Sequence, residues 1–287
     1  MSDTIYAMDS EFSSHQPIGV FDSGVGGLSV LRAIRALLPH EHVLYLADQA
    51  HIPYGPRQKA HIRDFSFGIT DFLLAQSAKL IVVACNTASA AALHDLRERY
   101  PATPFVGMEP AVKPAAALTY SGRVGVLATP TTFAGDLYAA LVDRFAQGIE
   151  IYQSTCPGLV EEIERGELES PDIRAILEGA LTPMLAEGVD TVVLGCTHYP
   201  FVIPMIQSIT GSGVHTIDPA PAIARQTQRL LAEHARLHPG DTAGALEFFT
   251  SGPPAPLEAL LPRLLGETGK VYGLTWQEQG LVRIDAG

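Results

Sequence analysis

Leu80-Ile81-Val82-Val83-Ala84-Cys85-Asn86-Thr87-Ala88 is followed, 111 residues on, by Thr191-Val192-Val193-Leu194-Gly195-Cys196-Thr197-His198-Tyr199. Each stretch is a short apolar run that ends in a cysteine and then turns polar, the pattern of a buried strand giving way to a loop or helix. In the same register Ile62-Arg63 matches Ile173-Arg174, and Leu74-Ala75 matches Leu185-Ala186. Upstream, Gly19-Val20-Phe21 resembles Gly125-Val126-Leu127; downstream, Glu109-Pro110-Ala111 resembles Asp218-Pro219-Ala220. Any one match could be chance, but their common order points to a duplicated α/β unit.

Working outward, residues 18–21, 43–47, 80–84 and 104–108 read as strands. Residues 28–38 and 62–74 read as helices, with Ile62, Phe65, Ile69 and Leu73 on one face. Strands alternating with helices imply parallel sheets covered on both faces. From residue 123 the order repeats. Beyond Pro221 a helix (222–234), a strand (246–250), another helix and a last strand (270–275) have no counterpart and complete one of the two domains. Ligands of open parallel sheets sit at the carboxyl ends of the strands. Two such domains facing one another would present Cys85 and Cys196 from opposite sides of a cleft.

Composition narrows the function. The 287 residues are 47% hydrophobic and 17% charged, ample for a core of two domains or one large one. The net charge is −12 with no basic run, which disfavours nucleic-acid binding. No apolar stretch approaches the roughly 18 residues of a membrane span. Residues 1–16 are polar, lack the regions of a secretory signal, and read as a loose tail on a cytoplasmic protein. Three cysteines, Cys85, Cys156 and Cys196, are too few for a disulfide framework.

Most isolated cysteines are small buried hydrophobes. Matched placement at two equivalent strand ends favours function for Cys85 and Cys196, whereas Cys156 has no cysteine counterpart and reads as structural. Each of the matched pair is expected to open a helix, whose amides would lower the thiol pKa. Zinc held by Cys85, Cys196 and His198 competes weakly, since no Cys-x-x-Cys or second histidine stands near. Asp22-Ser23-Gly24-Val25-Gly26-Gly27-Leu28-Ser29 follows the first strand and approaches a dinucleotide fingerprint, with Asp48 ending the next strand. Ser29 replaces the third glycine, however, and Asp22 puts a carboxylate at the mouth of the phosphate site. Pro53-Tyr54-Gly55 is turn chemistry at a strand end. Thr129, Thr131 and Thr132 occupy the equivalent mouth in the second half, where their hydroxyls could bind a carboxylate or cap a helix. His198 could tune the adjacent thiol; Glu164, on an amphipathic helix, is by default exposed.

Taken together, these residues resemble the glutamate racemases of the aspartate/glutamate racemase superfamily. The resemblance runs through Phe21-Asp22-Ser23-Gly24-Val25-Gly26-Gly27-Leu28, Pro53-Tyr54-Gly55, Ala84-Cys85-Asn86-Thr87-Ala88-Ser89, Glu109-Pro110-Ala111 and Gly195-Cys196-Thr197-His198-Tyr199-Pro200. It implies an α/β fold of two similar domains with parallel-rich sheets flanked by helices, related by a pseudo-twofold axis, the site lying in the cleft between them. Residues 1–112 plus 221–287 would form the first domain and residues 113–220 the second. Cofactor-independent interconversion of L- and D-glutamate is implied, with Cys85 serving the D-isomer and Cys196 the L-isomer, and D-glutamate passing to peptidoglycan synthesis. Asp22, Glu164 and His198 are nominated as helpers of the thiols. Substrate contacts fall to Asp22, Ser23, Pro53, Tyr54, Gly55, Asn86, Thr87, Thr129, Thr132, Thr197 and His198. No metal or cofactor is expected; a homodimer and a cell-wall-precursor activator are left open. Thr131 stands where a glycine is usual, and Ala47 and Gln49 depart from the pattern around Asp48. A dinucleotide-dependent oxidoreductase, a related racemase or isomerase acting on aspartate, hydantoin or a small diacid, and a two-lobed amino-acid-binding protein are the alternatives.

Overall fold

The structure is a computed structural model that describes residues 13–278 and 280–284. Its elements run β1 (Ile18–Asp22), α1 (Leu28–Leu37), β2 (Val43–Ala47), α2 (Lys59–Ala75), β3 (Leu80–Val83), α3 (Asn86–Arg99), β4 (Phe105–Gly107) and α4 (Val112–Leu118). There follow β5 (Arg123–Ala128), α5 (Pro130–Phe133), α6 (Asp136–Phe145), β6 (Glu150–Ser154), α7 (Leu159–Glu164), α8 (Pro171–Ala186), β7 (Thr191–Gly195), a 3-10 turn (Tyr199–Val202), α9 (Ile203–Thr210) and β8 (His215–Ile217). The chain closes with α10 (Ala220–Glu233), β9 (Leu246–Thr250), α11 (Pro254–Leu264), β10 (Val271–Gln277) and β11 (Gly280–Arg283).

The described strands form two sheets, ordered β11-β10-β9-β2-β1-β3-β4 and β6-β5-β7-β8. All pairings are parallel except β10 with β11. The run β2-β1-β3-β4 has the same order as β6-β5-β7-β8, and the repeat extends to register. Gly19 pairs with Ile81 and Gly125 with Val192; Ile81 pairs with Phe105 and Val192 with Thr216. From Ile81 to Val192, and from Phe105 to Thr216, the displacement is the same 111 residues that carries Cys85 to Cys196. Self-similarity in the sequence is therefore self-similarity in strand pairing.

The strands are apolar on alternate residues toward two different cores, as a sheet covered on both faces requires. Val20, Tyr45 and Val82 face the layer that contains α1; Phe21, Leu46, Ile81 and Val83 face the layer of α2 and α3. In the second sheet Val192 and Leu194 pack under α8, while Val124, Val126 and Val193 pack against α4 and α6. Helix α10 lies along α1, so the chain returns to the first sheet after β8. One apolar cluster joins α1 to Tyr199, Phe201 and α8 and fuses the two halves.

Three expectations need correction. The segment from 270 is not the last strand: β11 folds back antiparallel on β10, and its chain covers the edge that β10 would otherwise leave open. The helical slots of the second half are each broken in two, α5/α6 and α7/α8, where the first half has the single helices α1 and α2. Residues 13–16 are not loose, because the buried Lys79 donates to the Ser14 carbonyl at 2.5 Å and pairs with Glu41 at 2.6 Å. The rest of the expected tail, residues 1–12, lies outside the described residues.

Candidate active site

A cavity of about 220 Å³ lies between the carboxyl ends of the two sheets, with Cys85 on one wall and Cys196 on the other. Ser23, Pro53, Tyr54, Gly55, Asn86 and Thr87 line it from the first half, and Thr129, Thr197 and His198 from the second. Its volume is below the roughly 300–1,000 Å³ typical of pockets for drug-sized ligands, so it suits a small metabolite. The side-chain amide of Asn86 is buried without a hydrogen-bond partner among the described residues. A buried amide left unpaired costs about 1–3 kcal/mol, which a polar ligand would relieve.

The two thiols have opposite surroundings. Cys85 caps α3 and its sulfur accepts the Ala88 amide at 3.4 Å. That amide favours the thiolate, as expected for a helix start, but burial and the neighbouring Asp22 carboxylate win and push the Cys85 pKa well up. The expectation of a lowered pKa at Cys85 is thus reversed. Cys196 does not open an α-helix. The amide three residues on, Tyr199 N–H, goes to the Cys196 carbonyl at 3.2 Å instead of to its sulfur. What faces the Cys196 sulfur is His198 Nδ1, at 3.7 Å.

His198 in turn holds Glu164: Nε2 is 2.6 Å from Oε1. Burial works against a charged imidazole, yet the bonds to Cys196 and Glu164 outweigh it and raise the His198 pKa well above its usual value. An imidazolium beside Cys196 provides the counter-charge that a thiolate needs. Glu164 is only 13% exposed, not on the outer face its helix suggested. The break between α7 and α8 lets the end of α7 turn inward.

Asp22 lies under Cys85, fully buried, accepting from Gly27 N–H at 2.7 Å, with Thr197 Oγ1 at 3.5 Å. Burial raises its pKa, against the pull of the His198 charge. Across the mouth, hydroxyls run Thr87–Thr129–Thr132 at 2.9 Å per step. Thr129 both caps α5 and faces the cavity, so the two readings of that hydroxyl hold together; Thr132 is buried behind it. Thr131 donates to the Gly55 carbonyl at 2.6 Å and ties the two halves.

The glycine segment is not a phosphate cradle. Val25 N–H donates to Glu164 Oε1 at 2.6 Å and Gly27 N–H to Asp22, so the anions it binds are the protein's own carboxylates. A side chain at Gly26 would collide with His198, and one at Gly24 with Glu164. The space a dinucleotide would need is filled.

The Asp/Glu/Hydantoin racemase family model matches residues 18–227. Glutamate racemase of Ectopseudomonas mendocina is 54% identical over 259 residues, covering 90% of this chain and 98% of its own. That of Pseudomonas aeruginosa is 54% identical over 254 residues, covering 88% and 96%. The chain belongs to the glutamate racemases. Among solved structures, the glutamate racemase of Francisella tularensis in complex with D-glutamate superposes with a TM-score of 0.79 at 30% identity, covering 91% of this chain and 98% of that one. The Escherichia coli enzyme in complex with L-glutamate and the activator UDP-MurNAc-ala gives 0.76 at 36% identity, covering 87% and 95%. Membership makes the chain an isomerase of the racemase class, and the cavity is the site to examine for that chemistry. No described helix is long and apolar enough to cross a membrane.

Sequence reasoning missed part of this racemase cavity. Residues 155–158, Val160, Glu161 and Tyr199 complete the wall. Cys156, read as structural, is buried there at a backbone φ of +44°, and burial pushes its thiol up to about 11. Nothing in the local pattern marks it, since no cysteine stands at the equivalent place in the first half. The sequence pattern marks Asp48 as a strand-end acid that would complete a dinucleotide fingerprint, and gives no sign of its role in the structure. Asp48 is a hub that accepts from Tyr54 Oη at 2.6 Å, Ser251 Oγ at 2.6 Å and Trp276 Nε1 at 2.8 Å, with His51 Nδ1 at 2.9 Å.

Proposed function

We propose that the protein interconverts L- and D-glutamate without a cofactor, Cys196 and Cys85 exchanging protons with opposite faces of the α-carbon. The observation that carries this reading is the pair of sulfurs lining one small cavity from equivalent strand ends. The α-hydrogen of an amino acid is a very weak acid, and inversion needs a base on one face and an acid on the other. From L-glutamate the C–H bond breaks toward the Cys196 thiolate, S–H forms there, and the Cys85 thiol returns its own proton to the far face. The reverse path starts from a Cys85 thiolate and a Cys196 thiol.

The resting environment of Cys85 fits the first of these states. Cys85, buried beside Asp22, keeps its proton; Cys196 faces an imidazolium. Asp22 is placed to take the Cys85 proton, and His198 with Glu164 to serve Cys196. The unpaired Asn86 amide, with Ser23, Thr87, Thr129 and Thr197, would hold the substrate's polar groups and stabilise charge that develops on its carboxylate. Pro53, Tyr54 and Gly55 form the adjoining wall, and Thr132 backs Thr129. The two lobes assigned to this chemistry are residues 1–112 plus 221–287 and residues 113–220, consistent with the membership of the two sheets. The D-glutamate formed would serve peptidoglycan synthesis in the cytoplasm, and activation by a cell-wall precursor is open to the same assay.

The test is polarimetry of L-glutamate with no added cofactor. Optical rotation should decay to zero, and Cys85→Ala or Cys196→Ala should each slow it by at least about 10²–10⁴-fold, the usual worth of a positioned acid or base. In deuterated water early product should carry deuterium while recovered substrate does not. Full activity in either variant would falsify the two-thiol reading.

A further inference from the structure

Glu164 is the last residue of α7, where the helix's own carbonyls repel a carboxylate. Its fixed donors come from the opposite half of the molecule. Val25 N–H gives Oε1 a bond at 2.6 Å, and Gln49 Nε2 gives Oε2 one at 3.1 Å. Among the described residues Gln49 is the one side chain besides His198 that bonds Glu164.

The orientation of the Gln49 amide is itself fixed. Gly252 N–H donates to Thr250 Oγ1 at 3.0 Å, and the Thr250 hydroxyl donates to Gln49 Oε1 at 2.8 Å. The amide's N–H groups are therefore turned toward Glu164. A chain runs Thr250–Gln49–Glu164–His198–Cys196, beginning at the end of β9 in the first sheet and ending beyond β7 in the second.

We propose that Gln49 is a positioning residue for proton transfer at Cys196: it locks the Glu164 carboxylate across the lobe boundary, and so keeps His198 aligned on the sulfur. Without the amide, Oε2 is free to rotate, Oε1 drifts from His198 Nε2, and the imidazole loses the partner that holds Nδ1 on Cys196. Cys85 has no member of this chain within its own hydrogen bonds. The consequence is one-sided. This inference rests on the two-thiol reading above.

One-sidedness has a specific kinetic signature. Enantiomers have equal free energy in water, so kcat/KM must stay equal in the two directions whatever a substitution does. What can change is which proton transfer limits the rate. Gln49→Leu should lower kcat/KM about tenfold in both directions. The isotope effect on kcat/KM with α-deuterated L-glutamate, whose C–D bond breaks toward Cys196, should rise. The effect with α-deuterated D-glutamate, whose bond breaks toward Cys85, should fall toward unity. Thr250→Val, which keeps the shape and removes the orienting hydroxyl, should shift both in the same senses by less. A purely structural loosening would lower kcat/KM and leave the two isotope effects where they were; that outcome, or a wild-type kcat/KM in Gln49→Leu, overturns the proposal. If Gln49→Leu does not fold, Thr250→Val decides the question by the same readout. Full racemisation by Cys85→Ala or Cys196→Ala would instead sink the two-thiol reading itself.

Discussion

Asp22 is buried with one oxygen, Oδ1, unpartnered among the described residues, and burial raises its pKa. A carboxyl whose folded pKa lies above its unfolded value of about 3.9 binds protons more tightly in the native state. Stability is then highest below the unfolded value and is lost as pH rises toward the raised folded value; above that the full cost is present. Asp22→Asn removes this cost and keeps an acceptor for Gly27 N–H. Near neutral pH it should raise Tm, by about 2–4 °C for each kcal/mol recovered, while cutting racemisation by about 10²-fold or more. Thermal scans at pH 5 and pH 8 with a polarimetric assay check both halves; a lower Tm at both pH values would show that the carboxylate is stabilising. His198 gives the same sign by another route. Its raised pKa means that its stabilising bonds are fully present below about pH 6.5 and are lost as pH rises through the folded value. The stability gap between wild type and His198→Asn, measured by urea unfolding, should therefore shrink toward alkaline pH. A gap independent of pH would mean that the imidazole is neutral throughout. At this scale the sequence was legible where chemistry falls at a strand end, as at Asp22, Cys85 and Cys196. Helix position alone predicts solvent for Glu164, which only the resemblance nominates, and nothing local marks Gln49, whose side-chain partners Glu164 and Thr250 come from distant segments.

Among the elements, the loop that carries Tyr54 is held by the C-terminal strands. Asp48, at the end of β2, collects donors from Tyr54 in the loop, Ser251 after β9 and Trp276 in β10. Burial opposes the charge of Asp48, but the bonds from His51, Ser251 and Tyr54 outweigh it and hold its pKa below the ordinary carboxylate range. The added strands beyond β8 are therefore part of the site's support, a role that a sequence pattern without internal counterpart does not reveal. Trp276 is the chain's single tryptophan, and its indole reports on this hub directly. Glutamate binding against Tyr54 should change its emission, saturating with the concentration dependence of the reaction. Trp276→Phe removes the Nε1 donor; it should cost about 0.5–1.5 kcal/mol of stability and raise KM several-fold with a smaller change in kcat. Unchanged KM would detach the hub from the substrate loop. The strands and the repeat were readable because alternation and strand-end turns are local signals. The 3-10 turn after Cys196 was not, because tertiary packing decides it; the break between α7 and α8 does carry local signals, Gly166 at a φ of +80° and Ser170-Pro171 capping the new helix.

In the whole molecule two similar sheets share one apolar cluster through Tyr199 and Phe201, and the cavity is closed by bonds between the halves. Ser29 Oγ donates to the Thr197 carbonyl at 2.8 Å, and Thr131 Oγ1 to Gly55. An interface that is both apolar and hydrogen-bonded should make the halves unfold together, and a ligand between them should raise that single transition. Testing this with active enzyme is ambiguous, since either enantiomer becomes a mixture. The double variant Cys85→Ala/Cys196→Ala keeps each ligand as supplied. A site that must present both faces of one carbon to two opposed walls has to accept both enantiomers through the same carboxylate and amino contacts. L- and D-glutamate should therefore each stabilise the double variant, with dissociation constants within about tenfold of each other. At a hundred times the dissociation constant the gain is about 2.7 kcal/mol, or roughly 5–10 °C in Tm. A single shifted transition with both ligands supports one shared cavity. Stabilisation by one enantiomer alone would mean that the walls do not face a common carbon, and a split transition would mean that the lobes are not coupled through the site.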